Sequence, residues 1–341
     1  MSAQWQEFCN TLQETGNELL LAAPDDQTRA EGVAYLARLA AYGIERHMMG
    51  SDRLTNGLTF SAPRIGGYNP DYRIGAANLQ SGRRYRIRGR MNEAYRIGLG
   101  VYSLAPDGGL LLDDYKVLMA GSPGLGHDGD FDEQIGPDMA SEKGLHTCPT
   151  TNLFLVREIL LKQGGKRAEL AFDTDEQSAN HDLLSVERMG QGMAAVQHFF
   201  NGSMKQFLSW TNHFASLPNI MEPLLPEFDN KLNGDPGTVY YTGYFNLHED
   251  QALVIEVPDM TCDYWGVMLA NHWQEPLPAS FLNHVTAKKD DDGVARIMIT
   301  SRDPGPGGAN WLSTGGRSRG VIWHRTINAN IRQTPRCTLR G

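Results

Sequence analysis

At an offset of 168 positions the chain resembles itself. Tyr72, Gly75, Asn78, Leu79, Ile87 and Gly98 fall on Tyr240, Gly243, Asn246, Leu247, Ile255 and Gly266, six identities in the thirty gap-free positions from Tyr72 to Val101. The same offset carries Arg157 onto Arg325, each inside an apolar stretch. An internal repeat constrains a fold more than any local motif, because one unit must then serve twice. A length of 341 residues suits about two domains at ~150 residues each. A simpler source of the likeness stays open: two strand-rich halves can look alike because strand grammar is simple.

The hydrophobic pattern follows the same division. Trp5, Phe8, Leu12, Leu19 and Leu20 share one helix face, Pro24-Asp25-Asp26 breaks the chain, and Val33, Leu36, Ala40 and Ile44 mark a second helix. From about Leu58 short runs rich in Tyr, Ile and Val take over. Tyr85-Arg86-Ile87-Arg88 and Tyr95 to Leu99 alternate with period two, and Leu153 to Leu161 reads as another strand. Helical spacing returns at Val186, Met189, Met193, Val196 and Phe200, and again at Met204, Phe207, Leu208, Thr211 and Phe214. Strands resume near Val239, with Lys288 to Gly293 as a hairpin turn before Ala295 to Thr300. The predicted fold class is α+β. It has two tandem, mainly antiparallel β-sandwich units, jelly-roll-like, over residues 1–177 and 178–341, each preceded by a helical hairpin.

Composition closes off several functions. The net charge of −9 and a pI of about 5.6 build no basic field for nucleic acid. No run approaches 18 apolar residues, so no membrane span is expected. The opening residues lack the basic and apolar regions of a signal peptide, which makes a cytoplasmic protein the default expectation. Cys9, Cys148, Cys262 and Cys337 are far apart and form no CxxC, which argues against zinc and against a disulfide framework.

Motif signals in the first half are weak. GxSxG, a Walker loop and HExxH are all absent. Gly124-Leu125-Gly126-His127-Asp128-Gly129 spells GxGxxG, but it neither follows an apolar strand nor opens a helix, so phosphate binding is not expected. Asp128, Asp130 and Asp132 have calcium-loop spacing, yet Glu133 and Met139 stand where Gly and Glu would be needed. Arg84, Arg86, Arg88 and Arg90 share one strand face, read first as a solvated sheet surface and second as an anion site. Asn201-Gly202-Ser203 is a sequon with little meaning outside a secretory context.

The second half is chemically richer. Asp263 to Trp273 is a strand ending in polar and aromatic groups, Arg302-Asp303-Pro304-Gly305 and Asn310-Trp311-Leu312 form a polar loop, and Val321 to Arg325 is an apolar strand bearing an arginine. A buried arginine needs a partner, and Asp303 is the natural candidate. On that pairing Asp303→Asn would cost ~3–5 kcal/mol. The candidate catalytic residues are His272, Asp303, Arg302, Arg325, Tyr241 and Tyr244; Tyr241 and Tyr244 lie on opposite sheet faces, so one of them approaches. The candidate substrate-binding residues are Asn271, Trp273, Asn310, Trp311 and Trp323. No metal and no cofactor are expected.

These stretches resemble the bacterial domain-of-unknown-function family numbered 1214. The likeness rests on Gly67-Tyr68-Asn69-Pro70-Asp71, Tyr85 to Gly89, Asp263-Tyr264-Trp265, Asn271-His272-Trp273 and the Arg302 to Leu312 loop, and is most specific over about 235–335. It implies β-sandwich domains and carries over no catalytic residues. Tyr68 replaces a commonly acidic or polar residue, and Gly307-Gly308 is an insertion. The leading functional expectation is a cofactor-independent catabolic lyase. It would work by acid–base chemistry on a hydroxylated aromatic or steroid-like small molecule. The alternative is a non-enzymatic small-molecule or carbohydrate-binding β-sandwich protein, and a structural or assembly protein comes third. Neither nucleic acid nor membrane is an expected partner, and a homodimer stays open.

Overall fold

The computed structural model describes residues 2–49, 57–60, 65–104, 110–139, 144–174, 185–232, 234–305 and 310–341. The boundary expected at 177 and the Gly307-Gly308 insertion lie outside these residues.

Helix α1 (Ser2–Leu21) runs to the Pro24 break, and Asp25 then caps α2 (Asp26–His47) by accepting the Thr28 amide at 2.7 Å. Ser185 caps α3 (Val186–Ser216) in the same way, through the Arg188 amide. The sequence pattern suggested two helical stretches here; the structure has one helix of 31 residues. The buried stripe Met193, Val196, Phe200, Met204, Trp210 and Phe214 continues without a break across Gly202. Burial of that stripe outweighs the ~1 kcal/mol penalty of one helical glycine. The second sandwich is therefore preceded by a long helix and the short α4 (Pro226–Leu232), not by a hairpin.

The opening hairpin packs on α3 and on the second half. Leu19, Tyr35 and Leu39 meet Phe200, Met204 and Trp273 in one cluster. Arg38 grips Glu275 with two bonds of 2.6 and 2.7 Å, and the Trp273 indole donates to the Thr28 carbonyl at 2.8 Å. A side chain at Gly32 would press on the Trp273 ring, so the helix approaches this closely only because the residue is glycine.

The first half contains β1 (Thr59–Phe60), β2 (Tyr72–Asn78), β3 (Tyr85–Arg90), β4 (Arg96–Leu104), β5 (Leu110–Leu118), β6 (Asp130–Gly136), β7 (Gly144–His146), β8 (Thr151–Ile159) and β9 (Glu169–Thr174). The second contains β10 (Met221–Pro223), β11 (Thr238–Asn246), β12 (Ala252–Val257), β13 (Tyr264–Ala270), β14 (Pro276–Asn283), β15 (Ala295–Thr300), β16 (Trp311–Ser313), β17 (Arg319–Ile327) and β18 (Arg336–Arg340). The first half pairs them as β1-β2-β8-β4-β5 and β7-β6-β3-β9; the second as β10-β11-β17-β13-β14 and β16-β15-β12-β18. Each strand is the ninth after its counterpart, and both halves place their parallel pair, β6–β7 and β15–β16, at the same point. All other pairings between these strands, among the described residues, are antiparallel.

Each half buries one core between its two sheets. Ile87, Leu99, Phe131, Phe154 and Phe172 exemplify the first, and Ile255, Val267, Ile297, Leu312 and Ile322 the second. The protein is thus α+β with β-sandwich architecture. Period-two alternation leaves every second side chain of the five-stranded sheets on the outer face. There α3 covers β11, β13 and β17 with Trp210 and Phe214, while Tyr72 and Ile159 meet Tyr264 and Ile327 across the two halves. No helix among the described residues is long and apolar enough to cross a membrane.

Candidate functional site

Burying an arginine on a central strand costs free energy unless something answers its charge. This chain buries Arg157 and half-buries Arg325. Arg157 on β8 stands opposite Ile74 and Gly98; Arg325 on β17 stands opposite Tyr240 and Gly266. Both line a cavity of ≈ 160 Å³ between the halves, together with Gly67, Asn69, Tyr72, Asp235, Tyr240 and Trp323. Arg325 donates to the Gly67 carbonyl at 2.7 Å, its guanidinium 5.6 and 5.4 Å from the Tyr72 and Tyr240 ring centroids. Arg157 donates to the Tyr102 hydroxyl at 2.5 Å and lies 5.3 Å from that ring. Among the described residues neither arginine forms an ion pair.

A third arginine shows the contrast. Arg96 makes a two-pronged, fully buried bridge to Asp235, one arm at 2.8 Å, so its charge is already neutralised within the fold. Tyr72 and Tyr240 line the cavity, with Arg325 over both rings. Burial raises both phenol pKa values, with Arg325 opposing, so both remain protonated donors at neutral pH. Gly67 adopts φ +69° and lies flat against Trp323, where a Cβ would come within 2.6 Å of the ring. That contact brings its carbonyl to Arg325. Two guanidinium groups and two phenols around a space this size have the charge and the donors to hold an anion.

Behind the cavity wall sits an acid. Asp71 is 1 % exposed; its Oδ2 accepts from the Tyr264 hydroxyl at 2.8 Å and from the Asn283 amide at 3.0 Å, and its Oδ1 has no partner. Burial raises its pKa, against the pull of Asn283, Tyr264 and Arg325. Asn69, on the cavity wall, donates to the same Tyr264 hydroxyl at 2.7 Å.

The residues singled out in the sequence scatter over several places. Arg325 and Trp323 reach the cavity. His272 and Tyr244 pair with each other, Nδ1 to hydroxyl at 2.7 Å, and burial pushes the imidazole pKa down to about 4. Tyr241 faces the sandwich interior and stacks on His324, so of the two tyrosines Tyr244 is the one that approaches His272. Asn271 organises the turn around Trp273 and Glu275, and Trp273 packs on α2. Asn310 clips Lys288 and Arg296, and Trp311 donates to Thr300. Arg302 pairs with Glu249 at the surface, and Asp303 accepts the Gly305 amide. The expected Arg325–Asp303 pair does not form, because the side chain of Arg325 projects to the outer sheet face while Asp303 lies in an exposed loop.

In the first half, each member of the Arg84, Arg86, Arg88, Arg90 ladder is matched by Asp138, Asp132, Asp173 or Asp130. That face is a surface of paired charges, and two of the aspartates with calcium-loop spacing are used in it. Arg157, Tyr72, Tyr240 and Asp71 were not among the candidates. The signal for three of them was present: Tyr72 and Tyr240, like Arg157 and Arg325, are positions the 168-residue offset brings into register.

A family model, "Protein of unknown function (DUF1254)", matches residues 211–329. The match supports a bacterial domain of unknown function in the C-terminal half and does not support the number 1214. No curated protein matches the sequence. An uncharacterised protein from Burkholderia cenocepacia is 27% identical, superposes with a TM-score of 0.88, and is covered over 96% of its length by 99% of this chain. A protein from Vibrio parahaemolyticus shares the fold at 11% identity and a TM-score of 0.50, with 90% of this chain and 97% of that one covered. The likeness to the Burkholderia protein spans both halves, so the two-sandwich arrangement with its opening helices is common to the pair.

Proposed function

We propose that the chain binds a small organic acid in the cavity between its two halves. The observation that carries this reading is the presence of two arginines, Arg157 and Arg325, in one cavity with no ion pair to either among the described residues. A dry cavity of about 150 Å³ holds a benzene ring, so ≈ 160 Å³ suits an acid with one ring or a short chain and is too small for a steroid nucleus. Titration calorimetry at pH 7 and low salt with benzoate tests it. Binding is expected in the wild type and loss of binding in both Arg157→Met and Arg325→Met. Unchanged affinity in both variants would refute it.

The lyase reading is a second proposal, favoured by Asp71. Its buried carboxyl, one Tyr264 hydroxyl away from the cavity-lining Asn69, is suited to hold and return a proton. A hydroxylated benzoate would be the substrate class. Mass spectrometry of products should show turnover lost in Asp71→Asn with binding retained. We also infer that the two halves arose by tandem duplication, a reading supported by the repeated strand order and by the matched arginines and tyrosines.

A further inference from the structure

We infer that the ligand of this cavity is a planar dianion, a small dicarboxylate held by Arg157 at one acid group and by Arg325 at the other. The inference rests on the cavity being the binding site and goes further by assigning the ligand's charge. Buried charges are paired. Asp235, the carboxylate on the cavity lining, is already neutralised by Arg96. Among the described residues neither Arg157 nor Arg325 has a carboxylate partner, so a monoanion would leave one of them unanswered. Asp71 does not fill the gap: its Oδ2 is already engaged by Tyr264 and Asn283, and burial favours its neutral form.

The two cations also belong to different anchors. Arg157 is tied to Tyr102 in the first half, and Arg325 to Gly67 between the rings of Tyr72 and Tyr240. Separate anchors suit one acid group per arginine better than both arms closing on a single group. The aromatic walls, Tyr72, Tyr240 and Trp323, favour a flat ligand.

Shape-matched pairs test the charge directly in the full chain. Fumarate is compared with crotonate, and terephthalate with 4-methylbenzoate; in each pair a methyl replaces one carboxylate. At least one dicarboxylate should bind tenfold or more tightly than its partner. Arg157→Met and Arg325→Met should each erase that difference, while Arg157→Lys should keep most of it. If the monoacids bind as well as the dicarboxylates, and still depend on both arginines, the dianion is overturned and the site stands. If none of the four acids binds the wild type, both readings fall. The wild-type comparison does not depend on any variant folding.

Discussion

Arg157 and Arg325 hold equivalent places in the two halves: each is on the central strand of a five-stranded sheet, each faces a β4 or β13 glycine, and both line one cavity. The glycines are part of the relationship. A Cβ at Gly98 would collide with the Tyr115 hydroxyl, and one at Gly266 would come within 2.3 Å of the Tyr264 hydroxyl. In both halves the missing side chain makes room for a tyrosine on the arginine's sheet.

Removing an unpaired buried cation differs from breaking a buried pair. Arg96→Met strands Asp235 and should cost ~3–5 kcal/mol. Arg157→Met should leave the ligand-free melting temperature unchanged or raised. Thermal denaturation of the two variants checks this; equal losses would mean that Arg157 is structural.

Asp303→Asn and Arg302→Ala should each change stability by less than ~0.5 kcal/mol, as surface substitutions do. Both groups are exposed, and their partners are Gly305 and Glu249. Chemical denaturation midpoints decide it.

Tyr244→Phe removes the partner of a buried imidazole nitrogen. Leaving that group unsatisfied should cost ~1–3 kcal/mol. Ligand affinity at the cavity should be unaffected, since Tyr244 does not line it.

The pH profile has a definite sign. Burial holds His272 and His324 down at about 4, whereas an unfolded histidine titrates near ~6.5. Between those values the unfolded chain binds more protons, so stability falls as pH drops from ~6.5 towards 4. Each histidine should remove about 2 kcal/mol by pH 5. Melting curves at pH 7.5 and 5 should show the loss, and replacing both histidines with glutamine should reduce it, leaving the part due to His47 and His284, whose pKa values burial also lowers.

The sequence by itself determined the elements and their doubling. Period-two runs specified strands, the Pro24-Asp25 break specified the first helix junction, and the 168-residue register aligned Tyr72 with Tyr240 and Arg157 with Arg325. These features are local, or repeat at fixed spacing, so they can be read along the chain. Tertiary structure decided which partners met. Asp303, two residues before Gly305, is the acid nearest to Arg325 in the sequence, yet Arg325 turns to Gly67, 258 positions away. Asp235 was taken by Arg96 at a separation of 139 residues. Side-chain direction across a sheet follows from pleat and register, but which outer faces are pressed together depends on how two finished sandwiches and α3 pack. Only that packing left Arg157 and Arg325 facing a shared space with no ion pair to either among the described residues.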